Sequence, residues 1–157
     1  MKKVMTIVLA LMMLALTACG GSKNESKDVD LASFYAGMEE KYDWTQGLVD
    51  IEGEMLEAYY PGLSEISTKQ FIAKMPMMSA VVNEFVFLQC ESEEDAGKAA
   101  QILQQRVDMQ AEGGAWYPGS MEAWGRAGVI QQGTYVAMIA SAEFQAEIEE
   151  AFRAQFA

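Results

Sequence analysis

One stretch of this chain pairs residue type and spacing in a way that announces a covalent reaction. Leu16-Thr17-Ala18-Cys19 closes the run Val4 to Ala15, which carries no charge, and Lys2 and Lys3 stand before it. That order is a lipobox, so cleavage is expected between Ala18 and Cys19, with Cys19 becoming the lipidated first residue of the mature chain. The apolar core is too short and wrongly flanked to stay as a transmembrane helix. The expected attachment is therefore to the membrane through the lipid, on its extracytoplasmic face. Residues 1–18 read as signal peptide, 19–29 as a tether and 30–157 as a single globular domain. Gly20 to Val29 is poor in apolar side chains, so an end-to-end distance of roughly 16 to 19 Å is expected for a disordered tether of that length.

The remaining residues able to do chemistry are few. Histidine is absent from the whole chain, which removes Ser-His-Asp and Cys-His triads, histidine bases and most zinc sites at once. With Cys19 committed to the anchor, Cys90 has no partner for a disulfide. It follows Phe85-Val86-Phe87-Leu88-Gln89 and has Glu91, Glu93 and Glu94 nearby, the setting of a buried small hydrophobe rather than of an activated thiolate. Met75-Pro76-Met77-Met78 offers thioethers, which suit copper(I). The same residues serve as core filler on a strand, where alternation separates Met77 from Met78, and no metal or other cofactor is assigned. Glu93, Glu94 and Asp95 sit where a helix begins and read as capping, and Glu147, Glu149 and Glu150 as a solvated helix face. Trp116, Tyr117 and Trp124, in a loop-rich region, are the candidate ligand-binding residues: an aromatic platform for a sugar ring or peptide, or a packed corner.

Charge narrows the partners. The chain has 11 basic and 23 acidic residues, a net charge of -12; loss of Lys2 and Lys3 with the signal takes it to about -14. Nucleic acid is disfavoured, and so is adhesion to anionic lipid through a basic face, which needs clustered Lys and Arg.

The elements that must position these residues follow from periodicity. Leu31, Phe34, Tyr35, Met38 and Tyr42 predict a helix over 31–43 with Asp30 as N-cap. A shorter helix within 54–59 stops at Tyr60-Pro61-Gly62. Residues 70–78 predict a strand that Pro76 pushes to a sheet edge, and 81–90 its partner. Ser92-Glu93-Glu94-Asp95 opens a helix with the stripe Ala96, Ala99, Ala100, Leu103 and Val107, ended near Glu112 by Gly113-Gly114. A short helix over 121–124, a hairpin of 129–132 and 134–139 around Gly133, and a final helix over 143–156 complete the set. In that last helix Phe144, Ile148, Phe152 and Phe156 share a face that must be covered. The expected fold is α+β: an antiparallel sheet of about four strands with helices packed on one face, in which 70–112 and 128–156 form two similar strand-strand-helix units.

Over roughly residues 50–141 the chain resembles a known group. Asn83-Glu84-Phe85-Val86-Phe87, then Arg106-Val107-Asp108-Met109-Gln110, Tyr117-Pro118 and Gly133-Thr134-Tyr135-Val136, in that order and spacing, are similar to the bacterial lipoproteins grouped as domain of unknown function 4358. The resemblance implies a lipobox, one small domain and a Gram-positive setting. It implies no activity and no catalytic residue.

No phosphate loop, dinucleotide fingerprint, calcium loop or nucleophile elbow occurs in the sequence. The expected function is a membrane-anchored, non-catalytic domain that binds a protein or cell-envelope ligand such as a glycan. The alternative is a histidine-free hydrolase or transferase working through carboxylates. A transporter's solute-binding subunit is disfavoured by length.

Overall fold

The computed structural model describes residues 27–44, 47–78 and 80–157. Ala18, Cys19 and the first part of the tether lie outside the described residues. The elements are α1 (Leu31–Tyr42), β1 (Leu48–Asp50), α2 (Gly53–Tyr59), a 3-10 turn at Leu63–Glu65, β2 (Thr68–Pro76), β3 (Asn83–Cys90), α3 (Glu93–Met109), a wide turn over Gln110–Gly114, α4 (Pro118–Trp124), β4 (Gly128–Gln132), β5 (Tyr135–Ser141) and α5 (Gln145–Ala154).

All five strands pair antiparallel in the order β1-β2-β3-β5-β4. The expected four strands become five because β1, three residues long, lies beyond reach of a periodicity argument. It pairs Leu48 with Pro76 and Asp50 with Lys74, and Lys74 Nζ reaches Asp50 Oδ1 at 2.8 Å. This addition makes β1 the edge and moves β2 inside the sheet, contrary to the reading of Pro76 as an edge signal. The proline is tolerated at the end of β2, beyond the last β2–β3 pair, Lys74 with Phe85, where its only ladder partner is Leu48 of the edge strand.

Helices cover both faces of the sheet, not one. On the first face Val86, Leu88, Val136, Met138 and Ala140 pack under α3 and α4 residues including Leu103, Val107 and Ala123. On the second, Phe85, Phe87, Ala137 and Ile139 pack under Leu31, Phe34, Ile148 and Phe152 of α1 and α5. The two strand-strand-helix units therefore send their helices to opposite faces, and the expected likeness between them ends there. Central strands buried on both sides need apolar residues at every position. β5 supplies this in full, for all seven of its residues are buried.

The second face is held by a file of touching rings. Phe144 stacks on Tyr42 at 4.3 Å between centroids, Tyr42 on Trp44 at 5.1 Å and Trp44 on Phe85 at 4.5 Å. Phe87 and Phe152 continue it at 5.9 Å, and Phe152 meets Phe156 at 5.3 Å. Each such pair adds about 0.5 to 1.5 kcal/mol beyond the area it buries. The expected docking of the last helix through Phe152 is thus present.

Local signals act where the sequence put them. The Asp30 carboxylate accepts from the Ala32 and Ser33 amides and caps α1. Ser92 Oγ accepts from the Asp95 amide and caps α3, while Glu94 and Asp95 share Lys98 at 2.9 and 3.2 Å. Gly133 closes the β4–β5 turn at φ 59°. The domain begins slightly earlier than expected: Asp28 and Val29, placed in the tether by composition, both meet the Tyr135 hydroxyl at 3.0 Å, and Val29 is buried.

Candidate functional site

The first face of the sheet carries a charged pair near the start of β3. Glu84 points to the α3 side, as Val86 and Leu88 do, and there meets Arg106, which falls seven residues after Ala99 on the buried stripe of the helix. Arg106 Nε donates to Glu84 Oε1 and Nη2 to Oε2, both at 2.9 Å. Both side chains are buried. The Tyr60 hydroxyl, also buried, donates to Glu84 Oε1. Two-point guanidinium–carboxylate geometry with a further donor is what a buried ion pair needs to offset loss of water.

Proton affinities in this cluster follow from its closure. Burial opposes the Arg106 charge, but the hydrogen bonds to Glu84 and its negative charge outweigh that, and the Arg106 pKa lies above its ordinary value. Burial first, then the Glu84 charge and hydrogen bond, raise the Tyr60 phenol well above its usual range. Tyr60 therefore remains a donor, and the carboxylate is already engaged by three hydrogen bonds.

Over this closed base lies a trough. The Arg106 guanidinium packs against the Tyr59 ring at 4.6 Å and the Trp124 ring at 5.3 Å. These residues, with Val81, Gln110 and Trp116, line a hollow of about 260 Å³. It continues on one side into a hollow of about 310 Å³ that shares Gln110, Gly114 and Trp116 and adds Tyr117. A separate hollow of about 180 Å³ shares Pro76 and Val81 but opens toward the second face, where Trp44, Leu48 and Asn83 line it with Met77 and Met78. The Ser120 hydroxyl donates to the Ala80 carbonyl at 3.3 Å and ties α4 to the β2–β3 connection across the trough.

The wide turn before α4 aims Trp116. Gly113 takes φ 131°, open to glycine and rarely to other residues. A Cβ on Gly114 would stand 2.7 Å from Gln110 Nε2 and 2.9 Å from the Met109 carbonyl, so the chain turns this tightly only without one. Pro118 then starts α4 at its first position.

The structure gathers the three expected aromatic residues around one trough and gives them different roles. Trp116 is 86% exposed and Tyr117 54%, so both offer faces to a ligand. Trp124 is only 5% exposed and its ring is covered by Arg106, which makes it a wall. Met77 and Met78, expected to alternate on a strand, stand past its end at 80% and 66% exposure; only Met75 joins the core. Cys90 is buried as expected, its thiol pushed up to about 11 by burial and by the Asp95 charge. Glu84, Arg106, Tyr59 and Tyr60 were not among the candidates. Their signal was present, as a lone carboxylate inside an apolar strand and an arginine in phase with a buried stripe, but neither has meaning until the two elements face each other.

The trough lies far from the point where the chain enters the domain. Val29 is bonded to Gln70, whose partner across the ladder is Gln89. Glu84 is five residues back along β3 and faces the opposite side of the sheet, about 16 Å away along the strand.

A family model for a domain of unknown function (DUF4358) matches residues 40–141, a span that holds the pair, its aromatic walls and the whole trough. The chain belongs to this family. The match bears out the resemblance carried by the Asn83–Phe87, Arg106–Gln110 and Tyr117-Pro118 stretches. No curated protein and no solved structure matches the chain. Among the described residues, no helix is long and apolar enough to cross a membrane.

Proposed function

We propose that this DUF4358 chain is a lipid-anchored, extracytoplasmic binding module that holds a protein or cell-envelope ligand in the trough beside Trp116 without transforming it. The observation that carries the reading is the closed base: Glu84, the only carboxylate lining the trough among the described residues, is held by Arg106 and Tyr60. A general acid or nucleophile must be free to meet its substrate. A satisfied ion pair instead makes a rigid floor, and an exposed tryptophan beside it gives a ligand area at little entropic cost. Attachment through Cys19 rests on the lipobox, and entry of the chain at the far pole leaves the trough accessible on a tethered domain.

The test uses the full-length lipidated protein. Cys19→Ser protein with its signal cleaved should leave the membrane fraction, and incubation of the wild type with envelope preparations should yield no soluble product. Product that accumulates in proportion to the protein added contradicts the reading and favours the carboxylate-dependent hydrolase or transferase.

A further inference from the structure

Glu84 does not exhaust the donors of Arg106. A guanidinium carries five N–H groups in one plane, and Glu84 receives one from Nε and one from Nη2. Nη1 makes no hydrogen bond among the described residues, although the residue that carries it is only 7% exposed. It is not sealed from solvent as the Tyr42 hydroxyl is. Its opening is the hollow of about 260 Å³ that Arg106 lines. A donor held this deep, against the Tyr59 and Trp124 rings, meets little water and gains from an acceptor that a ligand brings.

That acceptor is neutral. The Glu84 charge already balances Arg106, so a second carboxylate would leave a negative charge uncompensated in a largely apolar hollow, on a chain of net charge -12. A carbonyl oxygen takes the same N–H without that cost. Gln110 stands four residues after Arg106, the helical spacing that sets two side chains side by side. It lines the same hollow, and its amide has no hydrogen-bond partner among the described residues. A fixed donor beside a free amide complements a secondary amide, which offers both a C=O and an N–H. Trp116, 86% exposed at the rim, adds a broad flat face for a ring. A peptide is poorly served, because its backbone brings an N–H and a C=O at every residue, while most other lining side chains are aromatic, Val, Met or Pro. A sugar carrying one amide is anchored at one point and keeps its hydroxyls toward water. We propose, resting on the binding reading above, that the trough binds an acetamido sugar of an envelope glycan, with its carbonyl oxygen on Arg106 Nη1, its amide N–H on Gln110 and its ring on Trp116.

The experiment is fluorescence anisotropy with full-length lipidated protein in phosphatidylcholine nanodiscs, with empty nanodiscs subtracted. The probes are a fluorescein-labelled N-acetylglucosamine tetramer, a labelled β-1,4-glucose tetramer that has hydroxyls in place of the acetamido groups, and a labelled, end-blocked alanine peptide. The first should bind saturably and the second at least about tenfold more weakly. Binding of the first should fall about tenfold in Trp116→Ala and in Gln110→Ala, and to background in Glu84→Leu/Arg106→Met, which removes the donor together with its counter-charge, with circular dichroism showing the variants folded. Gln110→Ala and the glucose tetramer decide the outcome without the double variant if that one unfolds. Equal binding of the two tetramers, indifference to Trp116→Ala and Gln110→Ala, or no saturable sugar binding overturns the inference. Saturable, Trp116-dependent binding of the peptide without the sugar overturns it too, while leaving the binding-module reading intact. Shortening of the sugar chain by the protein, by contrast, overturns that reading itself.

Discussion

Arg106 on α3 and Glu84 on β3 meet through two hydrogen bonds of 2.9 Å, with both side chains buried. This pair ties helix to sheet and floors the trough. Removing one partner leaves an uncompensated charge, so Arg106→Met should cost about 3 to 5 kcal/mol in denaturant unfolding, and adding Glu84→Leu should recover most of that. A single variant as stable as wild type would show that the pair is not buried in solution.

Stability should fall in alkali. The Cys90 thiol is raised from 9.0 to about 11 and the Tyr60 phenol well above 10.0, so the folded chain holds these protons more tightly than the unfolded one. Their contribution is complete below pH about 9 and is lost as pH rises through 11 and beyond. Urea midpoints measured from pH 7 upward should stay level from these groups until about pH 9 and then decline; a midpoint that rises toward pH 11 contradicts this. By the same argument Cys90 should resist thiol reagents at pH 8 in the native state and react on unfolding.

Phe152 is fully buried and touches Phe34, Phe87 and Phe156. Phe152→Ala should therefore destabilise by about 3 to 5 kcal/mol, and a loss under about 1 kcal/mol would mean that α5 is not docked on the sheet.

Gly114→Ala should disturb the trough more than the core. The added methyl meets the Gln110 side chain and the Met109 carbonyl, so the turn must open and Trp116 must move. Quenching of tryptophan emission by iodide reads this directly, since Trp44 and Trp124 are buried and Trp116 is not. An unchanged quenching curve would show that the turn absorbs the methyl elsewhere.

Much of the fold was legible because its signals are local. Asp30 and Ser92 mark two helix starts, Gly133 marks a hairpin, and the four-residue spacing from Phe144 to Phe156 marks a docked face. What escaped the sequence was nonlocal. β1 exists because Val49 finds Met75, and three residues carry no period. The unbroken apolar runs Phe85 to Leu88 and Val136 to Ala140 were themselves the sign of a sheet covered on both faces; reading the helices as a single layer overlooked it. At the site the exposed aromatics were visible as types in a loop. Their division into ligand faces and a wall was not, because it depends on Arg106 lying over Trp124.

The proposed function makes the trough the surface that would meet a ligand at the membrane. Its most direct test is site-specific photo-crosslinking in intact cells, with a benzophenone side chain at Tyr117 beside the trough and, as control, at exposed Lys69 near the pole where the chain enters. A discrete crosslinked species is expected from position 117, lost with Trp116→Ala and absent from position 69. The same species from both positions, or from position 69 alone, would contradict the proposed function.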